Sequence, residues 1–71
     1  MNKLTLSLDL YDLETIKESI NDFKEVCDIQ FNINEGEAVL TIPEEKSEES
    51  EIIQGEFCNY VLNKMKNKGL V

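Results

Sequence analysis

Few side chains in this sequence suit catalysis or metal binding. The chain has no histidine and no arginine, and its two cysteines, Cys27 and Cys58, stand far apart without forming a CxxC pair. A zinc site needs cysteines or histidines at short spacings along the chain. A nucleophilic cysteine needs a neighbouring base, most often a histidine. Each cysteine falls within an apolar helical stripe and is expected to pack in the core, with a reactive or metal-binding role as the alternative. We therefore expect no enzyme activity, no metal and no cofactor.

Carboxylates are plentiful, with 15 Asp and Glu against 7 Lys and a formal net charge of −8. A catalytic carboxylate pair needs burial to raise one pKa, yet almost all of these acids fall at positions expected to be exposed. The charge repels phosphate backbones and anionic membranes, so we expect neither nucleic acid nor membrane as a partner. No segment has the continuous apolar run of a signal peptide or a membrane span, which favours a cytoplasmic location with reduced cysteines.

Two helix faces are candidate partner-binding surfaces. The first carries an acidic stripe at spacings of four, four and three residues, made of Glu14, Glu18, Asp22 and Glu25. Like charges so placed destabilise a helix slightly, so the stripe is either a solvated face or a surface for a basic partner. The second face, on a later helix, carries Ile52, Glu56, Asn59 and Asn63. It is either solvated or a contact surface.

The elements that position these residues follow from apolar periodicity. Leu4, Leu6, Leu8 and Leu10 alternate with polar residues and predict a strand. Apolar stripes at spacings of three and four predict helices over about 12–26 and 50–67. Between them, two alternating segments flank a turn at 34–37 and predict a hairpin, followed by an acidic connection over 44–51. Ser47 or Ser50 is expected to cap the second helix, and Gly69 to end it. This helix is apolar over a wide arc, so it should pack against the sheet and also against either the first helix or another chain.

The order strand, helix, strand, strand, helix predicts a single α+β domain over residues 1–71. A two-layer β-α-β-β-α arrangement, with a three-stranded sheet and two helices on one face, resembles a ferredoxin-like fold that lacks its last strand. The first strand would then lie at an edge and leave backbone groups near Thr5 and Ser7 open to another strand.

Two stretches resemble the small D protein family of the His-Xaa-Ser peptide-maturation systems. One is Leu10-Tyr11-Asp12-Leu13-Glu14-Thr15-Ile16-Lys17 leading into Phe23, and the other is Gly55-Glu56-Phe57-Cys58-Asn59-Tyr60-Val61-Leu62-Asn63. The family pattern has an aromatic residue before the first helix and a basic residue within it, which match Tyr11 and Lys17. Tyr11 is therefore a further candidate partner-binding residue. Its second motif reads acid, Phe, any residue, Asn, any residue, aliphatic, Leu, matched from Glu56 to Leu62, whereas Asn63 replaces a frequent aspartate. The likeness covers about residues 8–63.

This resemblance implies a cytoplasmic accessory protein that acts beside radical-SAM enzymes on a ribosomally made precursor peptide. We therefore expect a non-catalytic protein that binds the precursor peptide, a maturation enzyme or both, through the edge of the first strand or the polar face of the second helix. The alternative is a small acidic inhibitor or antitoxin-like protein that masks a basic partner. A homodimer through sheet edges or through the second helix stays open.

Overall fold

The computed structural model describes residues 2–71 and confirms the predicted α+β order. Five main elements and one 3-10 segment follow one another along the chain. They are β1 (Lys3–Ser7), α1 (Leu13–Asp22), β2 (Gln30–Asn34), β3 (Glu37–Thr41), the 3-10 segment (Glu44–Glu49) and α2 (Ser50–Asn67).

The three strands form one antiparallel sheet in the order β1-β3-β2. The central strand, β3, pairs with β1 so that Leu40 lies opposite Leu4, and with β2 so that Leu40 also lies opposite Phe31. Both β1 and β2 are therefore edge strands. The prediction that the first strand lies at an edge is confirmed.

A single hydrophobic core lies between the sheet and the two helices. Its strand members all come from one face of β1 and β3, and α1 and α2 contribute side chains with almost no exposed surface, such as Ile16, Phe57 and Val61. The helices pack on each other through Phe23, whose ring centroid lies 5.2 Å from that of Phe57 and 5.3 Å from that of Tyr60. The wide apolar arc of α2 thus faces both the sheet and α1.

The first helix begins where predicted and ends earlier. The Asp12 carboxylate accepts the Thr15 N–H at 3.0 Å and the Thr15 hydroxyl at 2.7 Å, as an N-cap should. The helix ends at Asp22, not near residue 26, and the chain continues in turns in which the Val26 N–H donates to the Phe23 carbonyl at 2.8 Å. These turns redirect the chain toward β2 while Phe23 and Cys27 remain buried.

The second helix has the predicted bounds but not the predicted cap. Glu49 occupies the cap position, and the Ser50 N–H donates to the Ser47 carbonyl, so the backbone of the 3-10 segment leads directly into the helix. The expectation that a serine side chain caps this helix is wrong for that reason. At the other end Gly69 has φ +76°, and the Leu70 N–H donates to the Met65 carbonyl at 2.9 Å, which completes a Schellman motif.

Candidate functional site

The outer edge of β1 offers unpaired backbone groups, and their positions follow from two hydrogen bonds. The Ile42 N–H donates to the Asn2 carbonyl at 2.7 Å, and the Leu8 N–H donates to the Gly36 carbonyl at 2.9 Å. Antiparallel pairing alternates between residues that face the partner strand and residues that face away. Even-numbered residues of β1 therefore bond to β3. The N–H groups of Lys3, Thr5 and Ser7 point to the open edge.

This edge has a defined end at Ser7. The Ser7 carbonyl accepts the N–H groups of Leu10 and Tyr11 at 3.1 and 2.9 Å, and the Ser7 hydroxyl accepts the Asp9 N–H at 3.2 Å. An added strand would therefore find the N–H and C=O of Lys3 and Thr5, but only the N–H of Ser7. Tyr11, predicted to bind a partner, is half-buried against the core.

The acidic stripe of α1 is partly neutralised within the molecule. Glu18 pairs with Lys68 at 2.7 Å, and Asp22 pairs with Lys64 at 2.8 Å, because α1 and α2 run antiparallel to each other. Glu14 and Glu25 stay exposed. Lys64 and Lys68 reach these acids only because of the way in which the two helices pack.

The pairing around Asp22 shifts three ionisation equilibria. Hydrogen bonds from Lys64 and from the Tyr60 hydroxyl, the latter at 2.6 Å, lower the pKa of Asp22 below its usual 3.8. The same carboxylate raises the pKa of Tyr60 and of Lys64. Each shift favours the state in which Asp22 and Lys64 are charged and Tyr60 is protonated. The cluster thus joins the two helices and does not generate a nucleophile.

The polar face of α2 is exposed as predicted. Ile52 has 65% of its surface exposed, and Glu56, Asn59 and Asn63 follow it along the solvent side of the helix. An apolar side chain next to two carboxamides is available to a partner without any change in the fold.

Sequence reasoning missed two further surfaces. The sheet face opposite the helices forms a shallow hollow of about 660 Å³ with mostly uncharged polar lining, including Gln30, Asn32, Asn34 and Thr41 around Val39. The outer edge of β2 was also missed. The alternation at Phe31 and Ile33 predicted a covered face, yet these side chains are 36% and 52% exposed. The uncharged sequence of β2 could have indicated an open edge. How far the two helices extend over the sheet could not be read from the sequence.

The cysteines have the surroundings of core residues. Cys27 is buried and Cys58 is half-buried against the core, and burial raises the pKa of both thiols. A raised pKa lowers the thiolate fraction at neutral pH and so lowers nucleophilicity. Within residues 2–71, no three Cys, Asp or Glu side chains come together in a group suited to hold a metal ion.

Comparisons of the chain with family models, with curated proteins and with solved structures give no match. Over the described range of the chain, neither helix combines the length and the apolar character needed to cross a membrane.

Proposed function

We propose that this protein is a non-catalytic accessory protein that binds an extended peptide as an additional strand along β1. The observation that carries this proposal is the outward direction of the Lys3, Thr5 and Ser7 N–H groups on an edge strand. Strand addition gains affinity from backbone hydrogen bonds and specificity from alternate side chains. On the helix side, half-buried Leu4 and Leu8 already contact the core and offer apolar surface to such a peptide.

The peptide is the precursor of a His-Xaa-Ser maturation system, and a radical-SAM enzyme of that system is the second partner. The support for this assignment is the resemblance of residues 8–63, in which Tyr11, Lys17 and the stretch from Glu56 to Leu62 match. The exposed face of α2, from Ile52 to Asn63, is the surface that we assign to the enzyme. This face and the β1 edge belong to different elements, and the proposal assigns one partner to each.

The acidic inhibitor is the less favoured function. Such a protein would use the α1 stripe against a basic partner, but Glu18 and Asp22 already pair with lysines of α2. Only Glu14 and Glu25 of the stripe, with the acids of the 3-10 segment, would remain for a partner. The two functions differ in their response to salt, since ion pairs at a surface weaken as ionic strength rises and strand addition does not.

Isolation of the tagged protein from its native cells is the first test. The protein is captured in reducing buffer at low and at high salt, and its partners are identified by mass spectrometry. We expect a radical-SAM enzyme or its precursor peptide to remain at high salt. Recovery of only a basic protein that is lost at high salt would contradict the proposal and favour the inhibitor.

A second test addresses the β1 edge itself. Thr5→Pro removes one outward N–H and should weaken binding of the captured peptide, measured by fluorescence anisotropy, at least about tenfold. Thr5→Val is the matched control, because it keeps the N–H and changes only an exposed side chain. In the wild-type complex, hydrogen exchange of the Thr5 and Ser7 amides should slow. Unchanged exchange at both amides, with full affinity in Thr5→Pro, would rule out strand addition at β1.

A further inference from the structure

The outer edge of β2 lacks the features that normally protect an edge strand. Natural edges are shielded by charged residues, proline, bulges or a covering element. β1 carries Lys3, whereas β2 has the uncharged sequence Gln-Phe-Asn-Ile-Asn in a chain in which 31% of residues are charged. Phe31 and Ile33 point to the helix side of the sheet, opposite Leu40 and Ala38, yet stay 36% and 52% exposed.

The backbone of β2 is also open at this edge. The even-numbered residues of β3 bond to β1, so Glu37, Val39 and Thr41 bond to β2. Their partners on β2 are Asn34, Asn32 and Gln30, in that order. The N–H and C=O groups of Phe31 and Ile33 therefore point outward. They are spaced symmetrically about Asn32.

We propose that two copies of this chain pair through β2, antiparallel, about a two-fold axis at Asn32. This register places Phe31 of each copy opposite Ile33 of the other, and all of these residues have outward backbone groups. Four backbone hydrogen bonds then form across the axis. The two three-stranded sheets become one continuous six-stranded sheet, with β1 at both ends.

A second copy suits this edge better than a charged partner does. β2 offers no charge to attract one, and the absence of charge also spares two copies, each with a net charge of −8, from repulsion within the paired strands. On the helix side, each Phe31 ring would cover an Ile33 side chain, an aromatic–β-branched pair of the kind that stabilises sheets. On the other side, the two Asn32 carboxamides would meet and can hydrogen-bond to each other.

The small contact area limits the affinity of the two copies for each other. Five residues a side fall below the 20–30 residues, or about 800 Å² per partner, of a standard stable interface. We therefore expect a weak dimer, with a dissociation constant on the order of 100 µM. Because the remaining surfaces are acidic, added salt should strengthen the dimer by screening their repulsion. The dimer would carry two β1 edges, but it does not depend on peptide binding.

Sedimentation velocity tests this proposal with the full chain in reducing buffer, over concentrations from about 10 µM to 2 mM and at low and high salt. We expect reversible dimerisation that salt promotes. Ile33→Lys should raise the dissociation constant at least about tenfold, because it places a charge in the paired strand. Leu10→Lys is the matched control and should leave the dissociation constant unchanged, since it introduces the same charge at an apolar residue that is 72% exposed and lies outside β2.

Hydrogen exchange identifies the edge independently of the variants. The Phe31 and Ile33 amides should gain protection as concentration rises, while those of Thr5 and Ser7 should not. A wild-type chain that stays monomeric to about 2 mM at high salt would overturn the proposal. A dimer that survives Ile33→Lys would overturn it as well. Neither result bears on peptide binding at β1, which is measured with dilute protein.

Discussion

Truncation of Phe57 should remove much of the stability of this domain. The side chain is 1% exposed, lies between α1 and the sheet, and makes an edge-to-face contact with Phe23 at 5.2 Å. Phe→Ala at a buried site costs about 3–5 kcal/mol through lost burial and the cavity left behind. A chain of 71 residues has a free energy of unfolding of only about 4–11 kcal/mol. Phe57→Ala should therefore lose from about a quarter to all of it.

Urea denaturation followed by far-ultraviolet circular dichroism measures this loss. If Phe57→Ala is already partly unfolded without urea, Phe57→Leu gives a measurable transition, because it removes less of the buried side chain and should cost less than alanine does. Ile52→Ala is the control on the same helix. Its side chain is 65% exposed, so its free energy of unfolding should stay within about 0.5 kcal/mol of wild type.

Equal stability of Phe57→Ala and Ile52→Ala would refute the packing of α2 described above. The expected contrast also matters for the binding experiments. If the exposed face of α2 tolerates substitution, a loss of enzyme capture in an Ile52 or Asn59 variant reports on the contact surface and not on unfolding.

Three further outcomes follow from the same structure. Asp22→Asn should lower stability at neutral pH. Its difference from wild type should begin to shrink as pH falls through 3.8, where the carboxyl of the unfolded chain takes up a proton, and should disappear only below the depressed pKa of Asp22 in the folded protein; urea midpoints over this acid range and at neutral pH check this. The difference should also shrink in high salt, since the ion pair with Lys64 is partly exposed. Gly36→Ala should cost about 1–2 kcal/mol in the same assay, because φ is +80° at this turn. In the native protein, a thiol reagent should modify half-buried Cys58 faster than buried Cys27, and urea should remove the difference.

Local sequence signals were sufficient for the elements whose ends depend on their own residues. The turn at Glu35 and Gly36 joins β2 to β3 as a two-residue hairpin with positive φ at both positions, and Gly69 ends α2. Alternation in β1 and the apolar stripe in α2 identified buried residues such as Leu6, Phe57 and Val61. The same patterns also included Leu10, which lies beyond the end of β1 and is 72% exposed, and Leu62, which is 41% exposed. The edge position of β1 followed from the element order, because short connections leave few topologies.

Tertiary packing decided the properties of the candidate site. The outward direction of the Thr5 amide depends on the register of β1 against β3, and a shift by one residue would have reversed it. Glu18 and Asp22 lost their availability to a partner because antiparallel helices brought distant lysines beside them. Phe31 has the pattern of a covered residue but stays exposed, because the core draws on β1 and β3 and not on β2. Periodicity shows which face of an element is apolar, whereas the cover over that face is set by contacts between residues far apart in the chain.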